Sequence, residues 1–274
     1  MLYPVAIMFL AMSLIPAGDS AGKLLTSTLS VAPLFVAWSR FALGAVLLVP
    51  FCNRSALRLF QNWRVWLRAS TLAAGISCIQ VALQTTDIAT VFSAFFVGPL
   101  ISYVLAMVFL KERVTTARSA MIVIGFVGVL VVIRPGTIAN VGVLWAATAG
   151  VCYGVFLTMS RWLSDQGTPM ALTISQLVIS AFLLLPWGLW HLPEFTPTVA
   201  ALAATSAVCS MLGNLLLLYA YRLAPATQLA PLVYFQLIAA VALGWLIFGT
   251  LPDTLTWLGL GLIIVAGVAS ARLR

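Results

Sequence analysis

The chain has 274 residues, of which 63% are hydrophobic and only 7% charged, with a mean hydropathy of +1.13 and a net charge of +8. A water-soluble domain carries roughly 25% charged residues, so the outer surface here belongs in lipid, and nucleic acid is excluded as a partner despite the positive balance. A span takes about 20 residues and a tight connection about 5, so the length fits roughly ten or eleven spans with no room for an extramembrane domain.

The N-terminal stretch 1–9 lacks the basic region of a secretory signal, and its apolar run continues to Pro16 and beyond, so it reads as the first span. Polar punctuation then predicts ten apolar segments: 4–24, 31–50, 66–84, 88–110, 117–133, 141–160, 170–190, 198–219, 226–248 and 254–271. The breaks carry loop chemistry, as in Asn53-Arg54-Ser55, Lys111-Glu112-Arg113, Arg134-Pro135-Gly136, Asp165-Gln166-Gly167 and Leu192-Pro193-Glu194. The four cysteines (Cys52, Cys78, Cys152 and Cys209) lie in or beside separate apolar segments without CxxC spacing and read as small apolar packing groups. A single histidine, His191, cannot form a metal site alone, and nothing in the pattern calls for a cofactor.

Charge placement orients the chain. With the N-terminus in the cytoplasm, eleven basic residues fall on the cytoplasmic side: Arg54, Arg58, Arg64, Arg68, Lys111, Arg113, Arg118, Arg161, Arg222, Arg272 and Arg274. Only Arg134 falls opposite, while Lys23 and Arg40 lie within spans, so both termini are expected in the cytoplasm. Trp63 and Trp66 mark one interface, Trp187 and Trp190 the other.

A weak repeat divides the chain into 1–138 and 139–274. At an offset of 138, Lys23 meets Arg161, Ala82 meets Ala220, and Phe109-Leu110 meets Ile247-Phe248. Five spans per half is an odd number, so homologous halves must insert with opposite orientation, an architecture common among secondary transporters with a midplane site.

The order of landmarks resembles the EamA family of the drug/metabolite transporter superfamily. The first half carries Ala82-Leu83, Gly98-Pro99, Leu110-Lys111-Glu112-Arg113, and Gly125 with Gly128; the second carries Pro231-Leu232-Val233-Tyr234-Phe235-Gln236-Leu237, Gly244, Phe248-Gly249 and Pro252-Asp253. Asp19 with Lys23, and Arg40, are also similar to the family. Many relatives place a glutamate after the Phe-Gly of span nine; here that position is Thr250, so a role assigned to that acid is absent. The resemblance implies an all-α membrane protein of ten transmembrane helices, arranged as two inverted five-helix repeats. Spans five and ten would be peripheral, with spans 1, 3, 4, 6, 8 and 9 around a central cavity. It also implies a small-molecule substrate drawn from amino acids, zwitterions, nucleobases, cofactors such as riboflavin, or cationic drugs.

Charges inside a bilayer each cost at least about 2.5 kcal/mol on insertion scales, so each needs a reason. With span one rising from residue 4, Asp19 lies ~22 Å up and Arg40 ~16 Å up in a core of ~30 Å, an offset an arginine side chain can bridge. Arg40 reads either as an anchor to Asp19 or helix-end carbonyls, or as a clamp for a carboxylate or phosphate. Asp19 and Lys23 share a helix face four residues apart and read as an ion pair, or as an acid that binds a proton or amine. Pro16 and Gly18 precede the acid and loosen the helix there. Gln80 in span three, Ser93 and Phe96 in span four, Tyr153 in span six, and Tyr234 and Gln236 in span nine are polar or aromatic groups near mid-depth. Each reads alone as interhelical packing, and together as an aromatic, amide-rich substrate site. Residues 234 and 236 point about 200° apart on a helix, so Gln236 is the one more readily given to a neighbouring helix. Glu112 reads as a surface ion pair with Lys111 and Arg113.

No HExxH, GxSxG or phosphate-cradling GxxxxGK[ST] is present, so an enzyme or ATP-driven pump within this chain is not expected. The reading is a secondary exporter of small polar or zwitterionic metabolites, amino-acid-like and aromatic, in the cell inner membrane. The alternatives are an importer of a cofactor-like or nucleobase-like solute, and a membrane scaffold that moves nothing. The partners are the solute and lipid, with the protein a monomer or homodimer.

Overall fold

The computed structural model describes residues 2–52, 54–112, 115–133, 141–229, 232–233, 235–249 and 253–272. Among these there is no strand. The helices are α1 (Leu2–Lys23), α2 (Pro33–Leu48), α3 (Arg54–Leu59), α4 (Trp63–Thr85), α5 (Ile88–Phe95), α6 (Val97–Phe109), α7 (Thr116–Ile133), α8 (Val141–Trp162), α9 (Pro169–Trp190), α10 (Pro197–Leu223), α11 (Ala226–Leu229), α12 (Phe235–Phe248) and α13 (Thr254–Arg272). Among the described residues, seven helical stretches are long and apolar enough to cross a membrane: Pro4–Thr28, Pro33–Phe51, Trp63–Thr85, Thr90–Phe109, Val141–Trp162, Pro169–Trp190 and Pro197–Leu223. Shorter apolar helical stretches cover Ser119–Val131, Phe235–Phe248 and Trp257–Ala266.

The helices start where the loop chemistry says they should. Asn62, Asp87, Thr168 and Thr196 each accept a backbone N–H from the first turn that follows, and Pro33, Pro169 and Pro197 occupy first-turn positions where no N–H is needed. Apolar side chains such as Val46, Phe109, Phe182 and Leu246 cover the outside, as lipid contact requires.

The structure departs locally from the sequence expectation in three places. First, α1 runs unbroken through Pro16, and the winding loosens later, in a π-helical turn over Leu24–Thr28. Second, the loop 53–62 contains the short helix α3, which packs on α9. Third, the segment 88–110 is broken at Phe96. Pro99 in the first turn of α6 has no N–H to return to Phe95, so a carbonyl is released there. Gly150 on α8 lets the two chains meet at that carbonyl, since a side chain at 150 would collide with it. One turn on, a Cβ at Gly98 would sit 2.8 Å from Gly150 O, and one at Gly154 2.6 Å from Gly98 O, so α6 and α8 pack through glycine.

Helix pairing is symmetric under exchange of chain halves. α1 packs along α10 as α8 packs along α4; α1 meets α12 as α8 meets α6; α2 meets α10 as α9 meets α4. The pairs α2–α9 and α7–α13 map onto themselves. The largest apolar cluster runs between the halves, from Met8 and Met12 on α1 through Phe92 and Phe95 to Tyr153 and Leu237.

Candidate functional site

A small cavity lies where α1, α4, α5, α8, α10 and α12 converge, with Asp19, Ile76, Phe95, Tyr153, Asn214 and Gln236 in its wall. Only about 10 Å³ of it admits the centre of a water-sized sphere, the room of roughly one water molecule. Three wall atoms are buried without a hydrogen-bond partner: Tyr153 Oη, Asn214 Oδ1 and Gln236 Oε1. The Tyr153 ring lies between Phe95 and Phe156, with centroids 4.8 and 5.7 Å away.

Asp19 borders this cavity while pairing with Arg40. Arg40 Nη1 donates to Asp19 Oδ1, and Nη2 donates to Ser210 Oγ at 2.8 Å. Gln80 Nε2 lies 3.5 Å from the same Asp19 oxygen, so α1, α2, α4 and α10 meet in one polar network. Gly18 allows the approach, since a Cβ there would sit 2.9 Å from Ser206 O, and Ser206 Oγ donates to Gly18 O at 2.7 Å. The expected pair of Asp19 with Lys23 does not form. Lys23 Nζ instead donates to Thr86 O at 2.7 Å and Leu83 O at 3.3 Å. The carbonyls ending α4 take the ammonium because they point out of the last turn and carry the negative end of the helix dipole.

Of the other residues singled out in the sequence, Tyr153 and Gln236 line the cavity, and Gln80 reaches it through Asp19. Ser93 and Phe96 are buried but are not in its wall; the adjacent Phe95 is. Tyr234 lies outside the described residues. Glu112 is part-buried and its ion pair reaches Arg161 on α8, while Arg113 lies outside the described residues. Lys111 takes a left-handed φ of 51°, which turns the chain after α6, and Glu112 Oε1 accepts from Arg161 Nε at 3.4 Å and Ala226 N at 3.2 Å.

Sequence reasoning missed Ser210 and Asn214, and it gave no sign that Arg68 is buried. Asn214 is the one carboxamide in the 27 residues of α10, a signal that apolar surroundings on every side obscured. Arg68 was counted with the cytoplasmic charges, yet it is fully buried. It donates from Nε to Ser160 Oγ at 2.9 Å, from Nη1 to Leu172 O at 3.2 Å and from Nη2 to Gln176 Oε1 at 2.5 Å, and lies 4.9 Å from the Phe156 centroid. Its position in the second turn of α4 reads as interfacial until α8 and α9 close over it.

A bundle of apolar helices with a polar, occluded centre matches one family description across its length. The EamA-like transporter family model fits residues 3–134 and again 140–271. The chain belongs to this family. As an EamA-like protein it is a multi-pass membrane transporter, and its curated relatives are transporters rather than enzymes. It is 25% identical over 237 residues to a protein of Rickettsia prowazekii named S-adenosylmethionine uptake transporter, covering 84% of this chain and 80% of that one. It is 28% identical over 260 residues to a riboflavin transporter of Rhizobium johnstonii, covering 90% and 84%. It is 23% identical over 247 residues to a pseudopaline exporter of Pseudomonas aeruginosa, covering 87% and 86%. A solved crystal structure shares the fold, with a TM-score of 0.75 at 18% identity over 98% of this chain and 96% of the other.

Proposed function

We propose that the protein is a secondary carrier that moves a small, cofactor-like solute across the inner membrane by alternating access. The observation that carries this reading is the buried polar cavity. Unsatisfied polar groups at membrane depth are costly, and in a protein of transporter type a ligand is the ordinary reason to keep them. The exchange-symmetric helix pairing, together with two successive family matches, supports ten spans in two inverted halves, 1–138 and 139–274, with the cavity between them. The charge asymmetry supports cytoplasmic termini.

Likeness to S-adenosylmethionine and riboflavin transporters favours a cofactor-like solute over the amino acid expected from sequence, and the uptake named for the former favours import over export. Export is the second reading, favoured by the likeness to the pseudopaline exporter. Asp19, the one acid within the expected spans, is bound to Arg40, and this favours movement down the solute gradient.

Counterflow in proteoliposomes tests the reading. Vesicles preloaded with unlabelled solute should accumulate labelled S-adenosylmethionine or riboflavin above protein-free controls, with no imposed pH gradient. Absence of counterflow with both would sink the cofactor-like reading, and accumulation only with a pH gradient would sink the uncoupled mechanism.

A further inference from the structure

We infer that the cavity is built for the protonated primary amine of an aromatic solute; this rests on the carrier reading and adds the chemistry of the ligand. The unmet wall atoms are acceptors. Asn214 Nδ2 donates to Ser210 O at 2.9 Å, which fixes the amide so that Oδ1, the atom without a partner, is the carbonyl oxygen. Gln236 adds Oε1. Asp19 receives both its hydrogen bonds on Oδ1, and among the described residues none reaches Oδ2. The Tyr153 hydroxyl, also unpartnered, both donates and accepts.

An ammonium group offers three donors and no acceptor, which complements this wall. Asp19 and Arg40 cancel in charge, so an N–H bond to Asp19 is charge-assisted without requiring a second buried acid. A carboxylate or phosphate could take only the Tyr153 hydroxyl as a donor, would leave Asn214 Oδ1 unpaired and would face the Asp19 carboxylate. No lysine or arginine is in the wall among the described residues. Phe95 and Tyr153, which pack on each other in the wall, supply the aromatic contact for the body of the solute. With room now for about one water, the cavity must open before it takes such a ligand.

Three indole probes separate the chemistries at constant ring: tryptamine, tryptophan and indole-3-acetate, each titrated against the full-length protein in nanodiscs. Tryptamine should bind at least ~10-fold tighter than indole-3-acetate, with tryptophan between them. Asn214→Leu should weaken tryptamine about 10-fold, and Asn214→Asp should strengthen it, since it adds an anion at the same place. Equal or tighter binding of indole-3-acetate, no binding of any probe, or an Asn214→Asp variant with unchanged tryptamine affinity would overturn the inference. Thiol accessibility of a cysteine at position 76 distinguishes this failure from failure of the carrier reading. A cavity that opens but prefers the anion defeats the amine alone; a cavity that never opens defeats both.

Discussion

Asp19 on α1 and Arg40 on α2 form a buried ion pair at the edge of the central cavity, and Ser210 on α10 holds the other arm of the guanidinium at 2.8 Å. Removing one partner strands the other in a low-dielectric site, at about 3–5 kcal/mol. Asp19→Asn is therefore expected to lower the unfolding temperature in detergent, and the double variant Asp19→Asn/Arg40→Met to recover most of the loss. An Asp19→Asn protein as stable as the parent would show that the pair does not hold these helices together.

Arg68 has three neutral acceptors and no carboxylate among the described residues. Gln176→Glu places an anion at the 2.5 Å contact and should raise the unfolding temperature, because charge-assisted bonds are roughly twice as strong as neutral ones. Arg68→Lys should lose on the order of 3 kcal/mol, since a lysine cannot reproduce the planar fork. Thermal unfolding of both variants checks the pair, and a destabilised Gln176→Glu protein would contradict it.

The glycine contact between α6 and α8 gives a steric prediction. A methyl at Gly154 would sit 2.6 Å from a backbone oxygen, whereas one at Gly261 meets nothing within 4 Å. Gly154→Ala should cost about 1–3 kcal/mol and Gly261→Ala close to none. Equal stability of the two in the same unfolding assay would refute the close packing.

Hydropathy made the apolar helices and their order legible, because lipid imposes a length and a composition on each span. Partners across helices were less legible. Asp19 and Lys23 share a face by spacing, but Lys23 lies where α4 ends, and the carbonyls of Leu83 and Thr86 at that end claim it. The break at Phe96 had a local signal in Gly98-Pro99, while the glycine that accepts it, Gly150, is on another helix. Arg68 carries the same lesson for charge: its depth is set by α8 and α9, which no count along α4 contains.

Moving Arg68 inside leaves the charge asymmetry standing, so the loop 53–62 is still expected in the cytoplasm and the α9–α10 connection outside. Gln61 and Glu194 are exposed. In a protein without its native cysteines, an impermeant maleimide added to intact cells should label Glu194→Cys and spare Gln61→Cys. The opposite pattern would invert the topology.

Ile76 lies in the cavity wall on α4 and is 8% exposed in this closed arrangement. Alternating access requires that the same position face each side in turn. The reactivity of Ile76→Cys, again without the native cysteines, toward a small impermeant methanethiosulfonate measures this in right-side-out and inside-out vesicles. The carrier account predicts modification from both sides, slower than at Gln61→Cys or Glu194→Cys. A cysteine at 76 that stays unreactive from both sides, in a folded protein whose surface controls react, would contradict transport through this cavity.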